Sequence, residues 1–292
     1  MANTPRKLPH KSIDPKFGLE VLYMDMDALK KNDKTVINPE IDGEVIVNHF
    51  ESLTRKIFRE AIARFFFEGI SPDQFLEMMK KSSLAASNYF RLITNTNKER
   101  EISYQWEGKD MLIKHVEERI QHTADCTLNM GLTAAILSNQ TQDIEYLSNI
   151  DLSNLGPNMY PHAFILRTLA LQAICNDNKK QLGKYLEAIE KLPSPNRNLD
   201  AKLIDSECKS LFALGKGDFD QLIKCMEDNL RKHKKMYDND SRNMRYNYFG
   251  FISVFNIAVL IMANKRGATI NLKNQYMPEE LLKASLKAFN NV

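Results

Sequence analysis

Turn formers are scarce in this chain. Eleven glycines and ten prolines are spread over 292 residues, too few for the many turns of an all-β fold, and the shortage predicts long helices. Cysteine is also thin. The four, Cys126, Cys175, Cys208 and Cys225, match no CxxC or zinc-ligand spacing, so four reduced, buried thiols are expected. Excess charge is small: a net +3 argues against nucleic-acid binding, whose proteins concentrate positive charge. The first residues, "MANTPRKLPHKSIDPKFG", contain no apolar stretch of the kind a secretory signal requires. The one long apolar run, "YFGFISVFNIAVLIMA" from Tyr248 to Ala263, is short for a membrane span and is interrupted by Asn256. It predicts a central buried helix. Together these absences predict a cytoplasmic protein that engages neither nucleic acid nor membrane.

Catalytic signatures are missing as well. There is no GxSxG, no Cys–His family context and no Gly-rich phosphate loop. "ALGKGD" around Gly215 lacks the length and the Lys-Ser/Thr end of a P-loop, and reads as a helix stop followed by an N-cap. The best metal candidate is "HVEERIQHTADC". His115, Glu118, His122 and Asp125 would share one helical face, but a metal site normally draws ligands from several segments, and a mixed polar face is the simpler reading. Asp25 and Asp27 ("YMDMDA") are a carboxylate pair of the kind used in hydrolysis; their alternation also fits a short edge strand or a surface turn. No cofactor is expected.

What the chain does have is helical periodicity. From about residue 43 onward Ile46, Phe50, Leu53, Ile57, Ala61 and Phe65 step by three or four along one face. Ser71, Pro72 and Gln74 form a capping-box start for a helix to about Ile93. The polar stretch "TNTNKEREISYQWEGKD" predicts a loop or a short extended piece, and a third helix is expected over Lys109–Leu137. Further helices are expected over Pro161–Asn176, Lys179–Lys191, Leu199–Leu214, Asp218–Tyr237 and Arg245–Arg266, with a last one from Pro278. Residues 1–42 read as an arm, partly flexible or with a short extended piece, and 43–292 as a single all-α domain.

A faint internal echo runs through the second half: "ILSNQTQDIEYL", "ICNDNKKQLGKYL" and "LGKGDFDQLIKCM". Each is an apolar helix end, a polar turn and a new amphipathic start, about 40 residues apart, the scale of helix–turn–helix repeats. Stacked helical hairpins are therefore expected, and a tetratricopeptide-like α-solenoid and chance helical patterning both fit the echo. In "GDFDQLIKCMEDNLRKHKKMY", Asp218 and Gln221 predict a capping box. Phe219, Leu222, Ile223, Met226, Leu230, His233 and Tyr237 fall on one stripe, which turns His233 inward, and the cations Arg231, Lys232, Lys234 and Lys235 flank it near the C-terminal end, where they suit the helix dipole.

The second half resembles the immunity protein 49 family of bacterial polymorphic-toxin systems. The resemblance is carried by "YPHAFILRTLALQAICNDN", "ALGKGDFDQLIKCMEDNLRKHKKMY" and "FNIAVLIMANKRGATINLKNQYMPEEL", and covers residues 131–282. It rests on Asp218, Phe219, Leu230, His233, Tyr237, Arg266, Gly267, Tyr276 and Pro278. It implies an all-α protein that protects its producer by binding the C-terminal domain of a cognate toxin, and it brings no catalytic residues with it. The surface that would meet the toxin is not named by the sequence. A helical-repeat adaptor for peptide or protein partners is the alternative, and a metal-dependent enzyme using His115, His122 and Asp125 a more distant one.

Overall fold

The computed structural model describes residues 6, 27, 30, 34, 36, 43–94, 102–113, 124–152, 162–192, 199–237 and 250–290. The apolar stripe of the first periodic segment becomes helix α1 (Gly43–Phe67), whose Ile46, Phe50, Leu53, Ile57, Ala61 and Phe65 are all buried. A four-residue turn leads to α2 (Pro72–Ile93). Its start has the expected reciprocal cap: the Gln74 N–H donates to Ser71 Oγ at 3.1 Å and the Ser71 N–H to Gln74 Oε1 at 2.9 Å. The two helices pack along each other as a hairpin.

The expected helix over Lys109–Leu137 needs correction. Its first part is strand. β1 (Ile102–Trp106) and β2 (Lys109–Ile113) pair antiparallel, Trp106 opposite Lys109. Glu107 and Gly108 both have positive φ, as a two-residue hairpin turn whose twist matches the strands requires. Alternation in "ISYQW" decides the faces: Ile102, Tyr104 and Trp106 are buried, Ser103 and Gln105 exposed. Tyr104 and Trp106 stand edge-on to Phe50 of α1, with ring centroids 5.2 and 5.3 Å away. The hydroxyl of Tyr104 donates to the carbonyl of Val36 at 2.5 Å, so residue 36 of the N-terminal arm is held on the body. Arg6 is held too. Its guanidinium donates to the carbonyls of Phe65 and Ile70 and to Glu280.

Helix α3 (Ala124–Leu137) follows, then α4 (Thr141–Ser148), α5 (His162–Cys175), α6 (Lys179–Glu190), α7 (Leu199–Lys216), α8 (Phe219–Tyr237), α9 (Val254–Lys265) and α10 (Glu279–Asn290). The apolar run thus becomes a helix only from Val254, later than the expected Arg245. Gly250 to Ser253 are not α-helical, and the Ser253 N–H donates to the Tyr276 carbonyl instead (2.7 Å). Residues 245–249 lie outside the described residues.

The 40-residue echo has a structural cause. α3, α5, α7 and α9 all end in the same turn, with a left-handed residue one or two positions past the helix: Asn139, Asp177, Gly217 and Gly267. In each case that residue's N–H bonds the carbonyl three back, and the next N–H bonds the carbonyl five back. The pairs are Asn139–Ile136 with Gln140–Ala135, Asp177–Ile174 with Asn178–Ala173, Gly217–Leu214 with Asp218–Ala213, and Gly267–Asn264 with Ala268–Ala263. This is the Schellman ending, which gives partners to carbonyls the helix leaves unbonded. Three of the four lead at once into a new helix. Asn178 and Asp218 then accept from the N–H of Gln181 and Gln221 at 3.1 and 2.9 Å. The box expected at Asp218 is half-formed: the Asp218 N–H bonds the Ala213 carbonyl, and the Gln221 amide donates to Cys225 Sγ.

The fold is all-α but for the hairpin, and neighbouring helices stack as hairpins through α8. The last two helices then fold back: α9 packs on α3, α7, α8 and α10, and α10 reaches α2. A solenoid's repeats touch only their neighbours; here α3 and α9, apolar nearly all round, form a shared centre. Asn256 inside α9 is satisfied there. It accepts from Asn229 Nδ2 of α8 (3.0 Å) and donates to Ser253 Oγ (3.0 Å), while Asn229 also donates to Ser210 Oγ of α7 (2.6 Å). Among the described residues no helix is long and apolar enough to cross a membrane.

Two glycines test this packing in opposite senses. A Cβ on Gly131 of α3 would lie 2.2 Å from the Cβ of Ala86 in α2, whereas one on Gly183 of α6 meets nothing within 4 Å. Gly131→Ala should therefore be destabilising, because overpacking by about 1–3 kcal/mol outweighs the roughly 1 kcal/mol gain in helix propensity. Gly183→Ala should raise the melting temperature by about 2–4 °C for each kcal/mol gained. Thermal denaturation of the two variants beside wild type checks both signs.

Candidate functional site

Helix ends divide the molecule. The Schellman turns sit at one end of the helix array, where α3–α4, α5–α6 and α7–α8 are joined by two or three residues, and Arg266 links two of the endings. Its guanidinium donates to the carbonyls of Ile174 and Leu214, which end α5 and α7, and meets Asp177. At the other end α4 and α5, α6 and α7, and α8 and α9 are joined by longer stretches of chain. Such connections are where binding residues concentrate.

At that second end the inward stripe of α8 finishes. His233 is 4% exposed, its Nε2 lies 3.0 Å from the Gly250 carbonyl oxygen, and its ring sits between Tyr237 and Tyr276, with centroids at 4.7 and 5.0 Å. Gly250 must be small, since a Cβ there would fall 2.5 Å from the Tyr237 ring. Of the residues that carried the family resemblance, His233, Tyr237 and Tyr276 are thus brought together. Asp218 and Gly267 belong to the turn end. Phe219 is half-buried as the first residue of α8, and Pro278 precedes α10, where its carbonyl accepts the N–H of Leu281 and Leu282. Of the flanking cations, Arg231 and Lys232 both engage Asp228, at 3.2 and 2.6 Å.

Beside His233 and Tyr237 opens a cleft of about 240 Å³, walled by the N-terminal parts of α5, α7 and α9, the C-terminal end of α8, and α3. Arg167 and Glu207 face each other in it, 8% and 5% exposed, as a buried ion pair. Arg167 Nη2 also donates to Asn129 Oδ1 of α3 (3.1 Å), and the guanidinium lies over the rings of Phe164 (4.4 Å) and Phe255 (5.2 Å). Burial pushes the Glu207 carboxyl above the ordinary carboxylate range, and the Arg167 charge pulls against it. Two polar atoms of the wall, Arg167 Nε and Thr133 Oγ1, are buried with no hydrogen-bond partner. Each such group costs about 1–3 kcal/mol if nothing meets it.

Sequence reading did not pick out Arg167, Glu207 or Asn129. The available signal was an arginine set inside the otherwise apolar "FILRTLALQAIC"; a charge there must be paired when the helix is buried. Of the metal candidates, His115, Glu118 and His122 lie outside the described residues. Asp125 is buried at the start of α3, where its Oδ1 accepts the Cys126 N–H at 2.8 Å and burial pushes its carboxyl upward. Among the described residues, no three His, Cys, Asp or Glu side chains gather as metal ligands would. Asp25 is likewise outside them, and Asp27 is helical and exposed, 3.8 Å from Lys30, not part of a strand. None of the four cysteines is in a disulfide, and burial pushes the Cys208 thiol up to about 12.

The family described as immunity protein 49 matches residues 71–281. The chain belongs to the immunity protein 49 family. That match runs from the cap of α2 to the first turn of α10, and so takes in the turn end and all of the cleft wall except Phe58 of α1. No curated protein and no solved structure matches the chain.

In this immunity-family protein the ion pair should be expensive to break and cheap to replace. Arg167→Ala or Glu207→Ala alone, each leaving a buried charge, should cost about 3–5 kcal/mol. The double variant Arg167→Met/Glu207→Leu should fold within about 1 kcal/mol of wild type or above it. Urea denaturation of the three variants measures both expectations.

Proposed function

We propose that this protein neutralises a toxin by binding its C-terminal domain, acting in the cytoplasm of the producing cell and without catalysis of its own. The observation that carries the reading is membership of the immunity protein 49 family across most of the chain. The site chemistry supports binding over turnover. The buried carboxylate of the cleft is tied to an arginine, and the neighbouring Cys208 thiol is held protonated, where a nucleophilic cysteine needs a lowered pKa. The cleft end, with its longer connections, is the face proposed to meet the toxin, and shape and charge complementarity would set partner choice there.

Co-expression tests the reading. The gene directly upstream is expected to encode a large secreted protein, whose C-terminal domain should arrest growth when expressed alone. With this protein present growth should be restored, and the two should co-purify. A toxic domain that this protein neither neutralises nor retains on a column would remove the proposal.

A further inference from the structure

Among the described residues five helices end with a left-handed residue just past them, and one of the five is bonded differently. After α1 that residue is Gly69, with φ +66°. By the pattern of α3, α5, α7 and α9, its N–H should reach the Phe66 carbonyl and the Ile70 N–H the Phe65 carbonyl. Neither bond is made. The Ile70 N–H goes to the Arg64 carbonyl at 3.4 Å, and Arg6 takes both of the expected acceptors. Its backbone N–H donates to the Phe66 carbonyl at 2.8 Å. Its Nη1 donates to the Phe65 carbonyl at 2.6 Å and to that of Ile70 at 2.9 Å.

Electrostatics favour Arg6 in this place. Its charge sits at the C-terminal end of α1, where the last carbonyls make the helix dipole negative. Its Nε meets Glu280 at 3.0 Å in the first turn of α10, where a carboxylate faces the positive end of a dipole. The guanidinium also lies over the Phe65 ring, 3.7 Å from its centroid. Withdrawing Arg6 would break three bonds to carbonyls. Two of those carbonyls, however, have donors waiting in Gly69 and Ile70, in a turn that this chain closes four times elsewhere. We propose that Arg6 is the lock of a releasable strap. With Arg6 seated, the α1–α2 turn is held open. With Arg6 withdrawn, the turn closes into the Schellman ending and α10 loses its link to the arm. The arm's other fastening, from Tyr104 to Val36, stands beside Phe50, about four helical turns from Phe65, so the arm stays tethered when residue 6 lets go. Apart from Ile70's neighbour α2 and Glu280, the switch lies ahead of the family match at residues 71–281, and it stands independently of the immunity reading.

Amide hydrogen exchange of the full chain, read residue by residue by NMR, tests the switch. Losing a merely structural contact speeds exchange around it, whereas the switch requires the reverse at the turn. In Arg6→Ala the Gly69 amide should exchange about fivefold slower than in wild type, having gained a hydrogen bond. The Leu281 and Leu282 amides of α10 should exchange about two- to threefold faster, because the half-exposed ion pair beside them is gone. Glu280→Gln spares the bonds of Arg6 to the carbonyls and should move both sets the same way by less. Rising salt screens the same pair, and should slow Gly69 in wild type but not in Arg6→Ala. A Gly69 amide that exchanges as fast in Arg6→Ala as in wild type, or faster, would overturn the proposal. If Arg6→Ala does not fold, Glu280→Gln and the salt series on wild type decide, and a Gly69 amide unmoved in both overturns it.

Discussion

The last carbonyls of an α-helix have no partner inside it, and the layout of this protein follows from how four helices meet that constraint. α3, α5, α7 and α9 close with the same left-handed turn, and two of those endings also take hydrogen bonds from Arg266. In α3, α5 and α7 the turn consumes only two or three residues, so the next helix starts at once and packs back along the one before. α9 is followed by a longer stretch before α10. The cleft with its ion pair opens at the opposite end.

At that end the structure departs from what stability alone would favour. A buried ion pair rarely repays its desolvation, and well-packed apolar residues do as well or better. Arg167 and Glu207 are nonetheless almost wholly buried, with a guanidinium nitrogen and a threonine hydroxyl beside them left without partners.

Family kinship and site chemistry meet at α8. The aromatic and histidine positions that make its C-terminal end recognisable, His233 and Tyr237, pack with Tyr276 beside the cleft and hold the backbone of Gly250 in place. They shape one wall without supplying its charges. Arg266 and Gly267 do the corresponding work at the turn end. The recognisable residues are thus chiefly those that position helices, and the ones that give the cleft its chemistry, Arg167, Glu207, Asn129 and Thr133, lie in less distinctive sequence.

Much of this was legible in the chain because its causes are local. Helical periodicity, the Ser71 box, the Asp218 cap and the glycine at 267 depend on residues within a turn of one another, and the inward face of α8 follows from its own stripe. The 40-residue echo was visible for the same reason, since a Schellman turn and the following cap are written in six or seven residues. What failed was non-local. "KDMLIKH" suits a helix by pattern, and only pairing with β1 over Phe50 makes its first residues a strand. Gly250 to Ser253 continue an apolar run, yet leave the helix because the Ser253 N–H bonds the Tyr276 carbonyl, far along the chain. The amino-acid sequence by itself determined the helices, their caps and turns, and the family. Only the tertiary structure decided that Arg167 of α5, Glu207 of α7 and Thr133 of α3 share one cleft, because a site built from three helices exists only once their packing brings them together.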